Sequence, residues 1–130
     1  MTEQTKIAVI GCGMWGRNII RNATALGALA AVIDTDNMRA SDFAKQFNCD
    51  ALSLQEALQR DDISGLMIAT DATTHCDIAT TALQAGKHVF IEKPMAMSLA
   101  EAKTIKAQAV SQSKQVMIGH LIRYHRVFQA

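Results

Sequence analysis

Short apolar runs recur along the chain with few polar residues inside them: "IAVI" (7–10), "ALAAVI" (28–33), "GLMIA" (65–69), "HVFI" (88–91) and "QVMIG" (115–119). A strand with one face in water alternates apolar and polar positions. Runs without alternation suit strands buried on both faces, as in a parallel sheet. The segments between them carry helical spacing instead. Met14 to Leu26 places Ile19, Ile20, Ala23 and Leu26 on one side, and Asn37 to Phe47 follows the second run. "SLQE", Ser53 to Glu56, has the form of a capping box that opens a short helix. Thr74 with Asp77 is a weaker version, ahead of a helix that stops at Gly86. "SLAE", Ser98 to Glu101, opens a helix to about Gln112, with Leu99, Ala102, Ile105 and Ala109 on one face. Gly27 and Gly86 stand where helices end. This rhythm predicts an α/β fold: a Rossmann-type, doubly wound parallel sheet of about six strands with helices on both faces.

Composition narrows the field. The chain has 130 residues, room for one compact domain, and 49% are apolar, enough for a core without staples. Thirteen basic residues against 12 acidic ones leave a net charge of +1, which argues against a nucleic-acid partner. Cys12, Cys49 and Cys76 are odd in number and far apart. They suggest neither a disulfide framework nor a metal site, and a cytoplasmic setting is the simplest expectation. The opening "MTEQTKIAVIG" does not read as a secretory signal, and no apolar run reaches the roughly 18 residues of a membrane span.

The first run leads into "GCGMWG", in which Gly11, Gly13 and Gly16 form G-x-G-x-x-G between a strand and a helix. Gly11 suits the tight turn, Gly13 lets backbone approach a pyrophosphate, and Gly16 lets the helix lie close to the sheet. The helix N-terminus then offers N–H groups and a positive dipole end to the anion. Cys12, Met14 and Trp15 fill the variable positions. Met14 and Trp15 are counted with the cofactor site, although Trp15 also suits packing at the sheet edge, and Cys12 reads as a small hydrophobe. Asp34, in "AVIDTD", lies about 20 residues on, where a carboxylate accepts from ribose hydroxyls and repels a 2′-phosphate. No arginine directly follows it, which favours NAD (NAD+/NADH) over NADP. Two other readings stay open: Asp34 caps the next helix, or Asp36 is the ribose ligand.

The only proline, Pro94, stands in "VFIEKPMAM" at the end of a strand, after Glu92 and Lys93. Ligands of open α/β sheets gather at the carboxyl ends of strands. A proline there fixes the backbone and removes an N–H, so it reads as a device that points Lys93 into the cleft. A cis peptide fits such a turn. The plainer reading is an ordinary strand exit with a surface lysine.

Together, "GCGMWG", "ALAAVIDTD", "ALQAGKHVFIEKPMA" and "GHLIRYH" resemble the N-terminal half of the glucose–fructose oxidoreductase / inositol dehydrogenase (Gfo/Idh/MocA) family. The resemblance covers essentially the whole chain. Within the family, "GCGMWG" and "GHLIRYH" look most like sugar-nucleotide 3-dehydrogenases. The resemblance implies a nicotinamide-dependent oxidoreductase acting on a CH–OH group of a sugar, sugar nucleotide or polyol. Lys93 would be the catalytic lysine, in contact with both cofactor and substrate near the nicotinamide and the reacting carbinol, orienting the substrate hydroxyl and helping to move its proton. Thr70 and His75 would belong to the loop lining the cofactor, with Glu92 beside them. His75 has a second reading as a solvent-facing residue at a helix start. His120, Arg123 and His125 would stand where the substrate pocket begins. The chain departs from the family pattern at Asp71 and Arg126, where prolines are usual.

The resemblance also implies a division into a dinucleotide-binding domain, 1–120, and the start of a connection, 121–130. The α+β half that follows in the family is absent from these residues, so turnover by this chain alone is not expected. Other readings are a free-standing NAD(H)-binding sensor or interaction module, and a decayed enzyme fragment. Leu121, Ile122, Val127 and Phe128 would pack against the missing half. Their exposure predicts a homo-oligomer, most simply a symmetric dimer.

Overall fold

The computed structural model describes residues 4–120 and 126–129. Six parallel strands form one sheet: β1 (Ile7–Ile10), β2 (Leu29–Ile33), β3 (Asp50–Ala51), β4 (Gly65–Ile68), β5 (His88–Glu92) and β6 (Val116–Gly119). Between them run α1 (Met14–Ala25), α2 (Asn37–Phe47), α3 (Leu54–Gln59), α4 (His75–Gln84) and α5 (Leu99–Gln112), and α6 (Arg126–Gln129) follows. The strand order is 3-2-1-4-5-6, that of a doubly wound dinucleotide-binding sheet. The order reverses between β1 and β4, so a crevice opens there at the carboxyl ends of the strands.

Both faces of the sheet are apolar, as the unbroken runs required. Ala8, Ile10, Ala31, Ile33, Leu66, Ile68, Val89 and Ile91 belong to a large cluster with Ala57 of α3, Leu83 of α4 and Ile105 of α5. The alternate residues Val9 and Val32 join Ile20 of α1 and Phe43 of α2 in a smaller cluster on the other face. That second face is less complete toward β6, where Phe90 is half-buried and Met117 is 49% exposed. Burying a side chain such as Ile105 fully contributes about 1.5–3 kcal/mol, so the larger cluster dominates the stability.

Local signals set most boundaries. Ser53 accepts from the Glu56 N–H while the Glu56 carboxylate accepts from the Ser53 N–H, which completes the capping box of α3. Ser98 caps α5, but the Glu101 carboxylate reaches past it to the N–H of Met97. Three expectations are corrected. Thr74 does not cap α4, because its hydroxyl donates to the Asp71 carbonyl within a 3-10 turn, Ala72–Thr74. Leu26 and Leu99 stay 74% and 71% exposed, outside the buried faces of α1 and α5. β3 adds an edge strand that no apolar run announced, since Asp50 and Ala51 are both exposed.

Lys87, within "AGKHV", is 7% exposed, and its ammonium donates to the carbonyls of Arg60 and Ile63 at 2.6 and 2.7 Å. A buried cation needs such partners. It staples the connection between α3 and β4 to the start of β5.

Candidate functional site

The glycine loop follows from steric need. Gly11 has φ +101°, a left-handed conformation, and a Cβ there would sit 2.5 Å from the carbonyl oxygen of Ala69. A Cβ on Gly16 would overlap the Gly11 carbonyl oxygen. Helix α1 therefore lies directly on the turn. Gly13 differs, because nothing lies within 4 Å of the position its Cβ would take. Its lack of a side chain leaves the backbone open toward the cleft. Gly13 is also the N-cap of α1, which has no side-chain cap and no acid in its first turn. Asp36, Ser53 and Ser98 cap α2, α3 and α5 instead. The uncapped N–H groups of α1 are left for an anion.

Asp34 is anchored at the end of β2. One carboxylate oxygen accepts from the N–H of Cys12 in the glycine loop and the other from the N–H of Asp36, each at 2.8 Å. Asp36 is the residue that caps α2, accepting from Met38 and Arg39 at 3.1 Å. The Asp34 side chain is 7% exposed and faces Arg39, whose guanidinium lies 3.7 Å away. Cys12 is buried beside it, and burial, with the Asp34 carboxylate next, pushes its thiol up to about 12. It is not a nucleophile near neutral pH.

Gly11, Gly13, Met14, Trp15, Asp34, Arg39 and Thr70 line one cavity of about 940 Å³ at the crevice. That volume lies at the upper end of the range for small-molecule sites. Asp71 also lines it, at a position where the sequence departs from the family pattern. The Thr74 hydroxyl donates to Asp71, so the Thr70 hydroxyl, 2.7 Å from it, must be the donor between the two.

The other end of the crevice is held by two long-range contacts. His75 is buried at 1% exposure, with Nδ1 2.8 Å from the Pro94 carbonyl and Nε2 2.9 Å from the Thr70 carbonyl. It ties the loop after β4 to the turn after β5 and does not face solvent. The Lys93–Pro94 peptide is cis. Lys93 itself is exposed, and among the described residues none holds its ammonium. The Glu92 carboxylate accepts from the indole N–H of Trp15 at 2.8 Å. His120 is exposed just after β6, at the same edge. Arg123, His125, Leu121 and Ile122 lie outside the described residues.

Sequence reasoning missed Arg39, which reaches Asp34 from the first turn of α2 and not from the position after it. It also missed the burial of His75, whose partners are carbonyls five and 19 residues away. No helix among the described residues is long and apolar enough to cross a membrane.

Comparison with known proteins agrees with this geometry. The family model described as "Oxidoreductase family, NAD-binding Rossmann fold" (GFO_IDH_MocA) matches residues 5–120. The UDP-N-acetylglucosamine 3-dehydrogenase of Acidithiobacillus ferrooxidans is 33% identical over 124 residues, covering 95% of this chain and 39% of that protein. The glucose-6-phosphate 3-dehydrogenase of Bacillus subtilis is 36% identical over 124 residues, covering 92% of this chain and 34% of that one. Among solved structures, the Acidithiobacillus enzyme superposes with TM-score 0.92 at 32% identity, over 98% of this chain and 41% of that one. GenD2 from gentamicin A biosynthesis, in complex with NAD, superposes with TM-score 0.91 at 30% identity, over 97% and 37%. The chain thus spans about two-fifths of the length of such relatives.

Proposed function

The chain belongs to the Gfo/Idh/MocA family of oxidoreductases and carries its NAD-binding Rossmann fold, and from that premise we propose that it is the NAD(H)-binding half of a dehydrogenase for a CH–OH group. The substrate class is a sugar, sugar nucleotide or polyol. The relatives that cover nearly all of this chain support that class, including a UDP-N-acetylglucosamine 3-dehydrogenase and inositol 2-dehydrogenases. Residues 1–120 form the cofactor domain in this reading, and 121–130 begin the connection to a substrate domain.

One observation carries the cofactor assignment: Gly13 leaves open space before an uncapped helix N-terminus, with the anchored Asp34 carboxylate at the neighbouring strand end. Pyrophosphate fits the first feature and ribose hydroxyls the second. NAD, when bound, would supply the hydride acceptor. The protein's part is to orient and to move a proton. Lys93 would hydrogen-bond the substrate hydroxyl and help take its proton, and Thr70 would line the cofactor. His75 would act through the carbonyls it fixes. His120, with Arg123 and His125, would contribute to the substrate side.

The reading includes a cytoplasmic protein that self-associates as a dimer. Three free cysteines support the first point, and exposed Met97 and Leu99 support the second.

The test is titration of the chain with NADH and NADPH. NADH should bind more tightly, because Asp34 repels a 2′-phosphate, and Asp34→Ala should narrow the gap. Arg39 beside Asp34 keeps that gap modest, at about tenfold. Equal affinity in the unaltered protein would sink the role given to Asp34.

A further inference from the structure

Three observations converge on the side of the crevice farthest from Asp34. Trp15, in the first turn of α1, lines the cavity and is 46% exposed. Its indole N–H donates at 2.8 Å to Glu92, the last residue of β5, which is 77 positions away and does not itself line the cavity. Glu92 pairs across the sheet with Gly119, the last residue of β6. A Cβ on Gly119 would lie 3.0 Å from both Glu92 carboxylate oxygens and from the tip of the Phe90 ring. The carboxylate thus lies over β6 in space that a side chain at position 119 would take.

We propose that Gly119, Glu92 and Trp15 form a latch that fixes the indole as the wall of the cleft beside the nicotinamide half of the cofactor. This rests on the NAD reading above and deepens it. The direction follows from topology. Asp34 at the end of β2 marks the adenosine end, the glycine loop marks the pyrophosphate, and the rest of the dinucleotide must extend past β4 toward β5. The indole is tethered there. Alone, a half-exposed tryptophan on the first turn of a helix samples several rotamers, and ordering it on binding would cost affinity. A charge-assisted bond to Glu92 holds it beforehand. Glu92 is therefore a positioning residue: it touches the indole, and the indole touches the ligand. The bond also ties α1 to the residue just before Lys93, so that the wall and the lysine share one anchor.

Trp15 is the only tryptophan, which makes the latch directly observable. The experiment uses this chain, with calorimetric titration of NADH and of ADP-ribose, which lacks the nicotinamide, together with tryptophan emission and thermal melting. Glu92→Ala should weaken NADH binding about 5- to 10-fold. It should leave ADP-ribose affinity and melting temperature nearly unchanged and shift the emission to the red. Glu92→Gln keeps an acceptor oxygen and should restore most of the NADH affinity. Gly119→Ala should reproduce Glu92→Ala by displacing the carboxylate. The latch is overturned if Glu92→Ala leaves NADH affinity intact, or if it weakens NADH and ADP-ribose equally. If the unaltered chain binds neither ligand, the NAD reading itself fails and the latch falls with it.

Discussion

The two ends of the crevice are built differently. At the β2 end, Asp34 is bonded to Cys12 and Asp36, one in the glycine loop and one two residues on, and both partners lie within the first 40 residues. At the β5 end, Lys93 is exposed and its surroundings depend on His75, bonded to Pro94 19 residues on, and Glu92, bonded to Trp15 77 residues away. In the proposed reading, the first end receives half a cofactor on groups that are already anchored. The second is a scaffold that presents a lysine without enclosing it. On that reading binding and chemistry separate within one sheet, and this chain should bind without turning over.

The sharpest break between the ends is Lys93. In a protein that joins this chain to a family substrate domain, Lys93→Met should lower turnover about 10²- to 10⁴-fold. NADH affinity and melting temperature should stay nearly constant, because the ammonium bonds no described residue. Full turnover in that variant would remove Lys93 from the mechanism; unfolding would make it structural.

The glycines divide the β2 end itself. Gly16→Ala drives a methyl into the Gly11 carbonyl and should cost about 3 kcal/mol or more, visible as a large fall in melting temperature. Gly13→Ala meets open space, so the domain should fold normally while NADH affinity drops. Equal melting temperatures for the two variants would contradict the packing described here.

His75→Ala should uncouple the β5 end. It leaves the Thr70 and Pro94 carbonyls without their buried partner and should destabilise the domain by about 1–3 kcal/mol. ADP-ribose binding at the β2 end should persist in the folded fraction. Loss of ADP-ribose affinity with unchanged stability would show that the two ends are not separate.

The effect confined to alkaline pH concerns Cys12. Its thiol titrates near 12 in the folded protein against about 9 ordinarily, so the folded state holds its proton more tightly. The stabilisation is complete below pH 9 and is lost as pH rises from 9 toward 12. Denaturation at pH 8 and pH 11 should show less loss of stability for Cys12→Ala than for the unaltered chain. Cys49 and Cys76 are raised by burial too and should leave part of the loss in place.

What could be read beforehand follows the same division. Helix α2 covers the segment Asn37–Phe47 read after the second run, but its cap is Asp36 and not Asp34, and Asn48 ends it in a left-handed conformation at φ 53°, neither of which the sequence reading named. Five of the six strands were legible because buried parallel strands write themselves as unbroken apolar runs. Strand β3 was not, since two exposed edge residues need no apolar signal. Leu99 matched the helical period of α5 yet stays exposed, because the sheet beneath that helix meets Ile105 and Ala109 instead. At the site, the glycines and Asp34 announced themselves through local spacing. The burial of His75 and the Trp15–Glu92 bond did not, because long-range pairing leaves no periodicity in either partner.

The anchoring of Asp34 has an entropic consequence. Its two oxygens offer about four acceptor positions, and backbone N–H groups occupy only two. Room remains for ribose hydroxyls on a carboxylate already held in one rotamer. Freezing a mobile side chain on association costs about 0.5–1.5 kcal/mol. Here that ordering takes place during folding, before any ligand arrives. In the proposed reading, the adenosine half of the cofactor would meet a rigid receptor, and the closing adjustments of binding would be left to the Lys93 end.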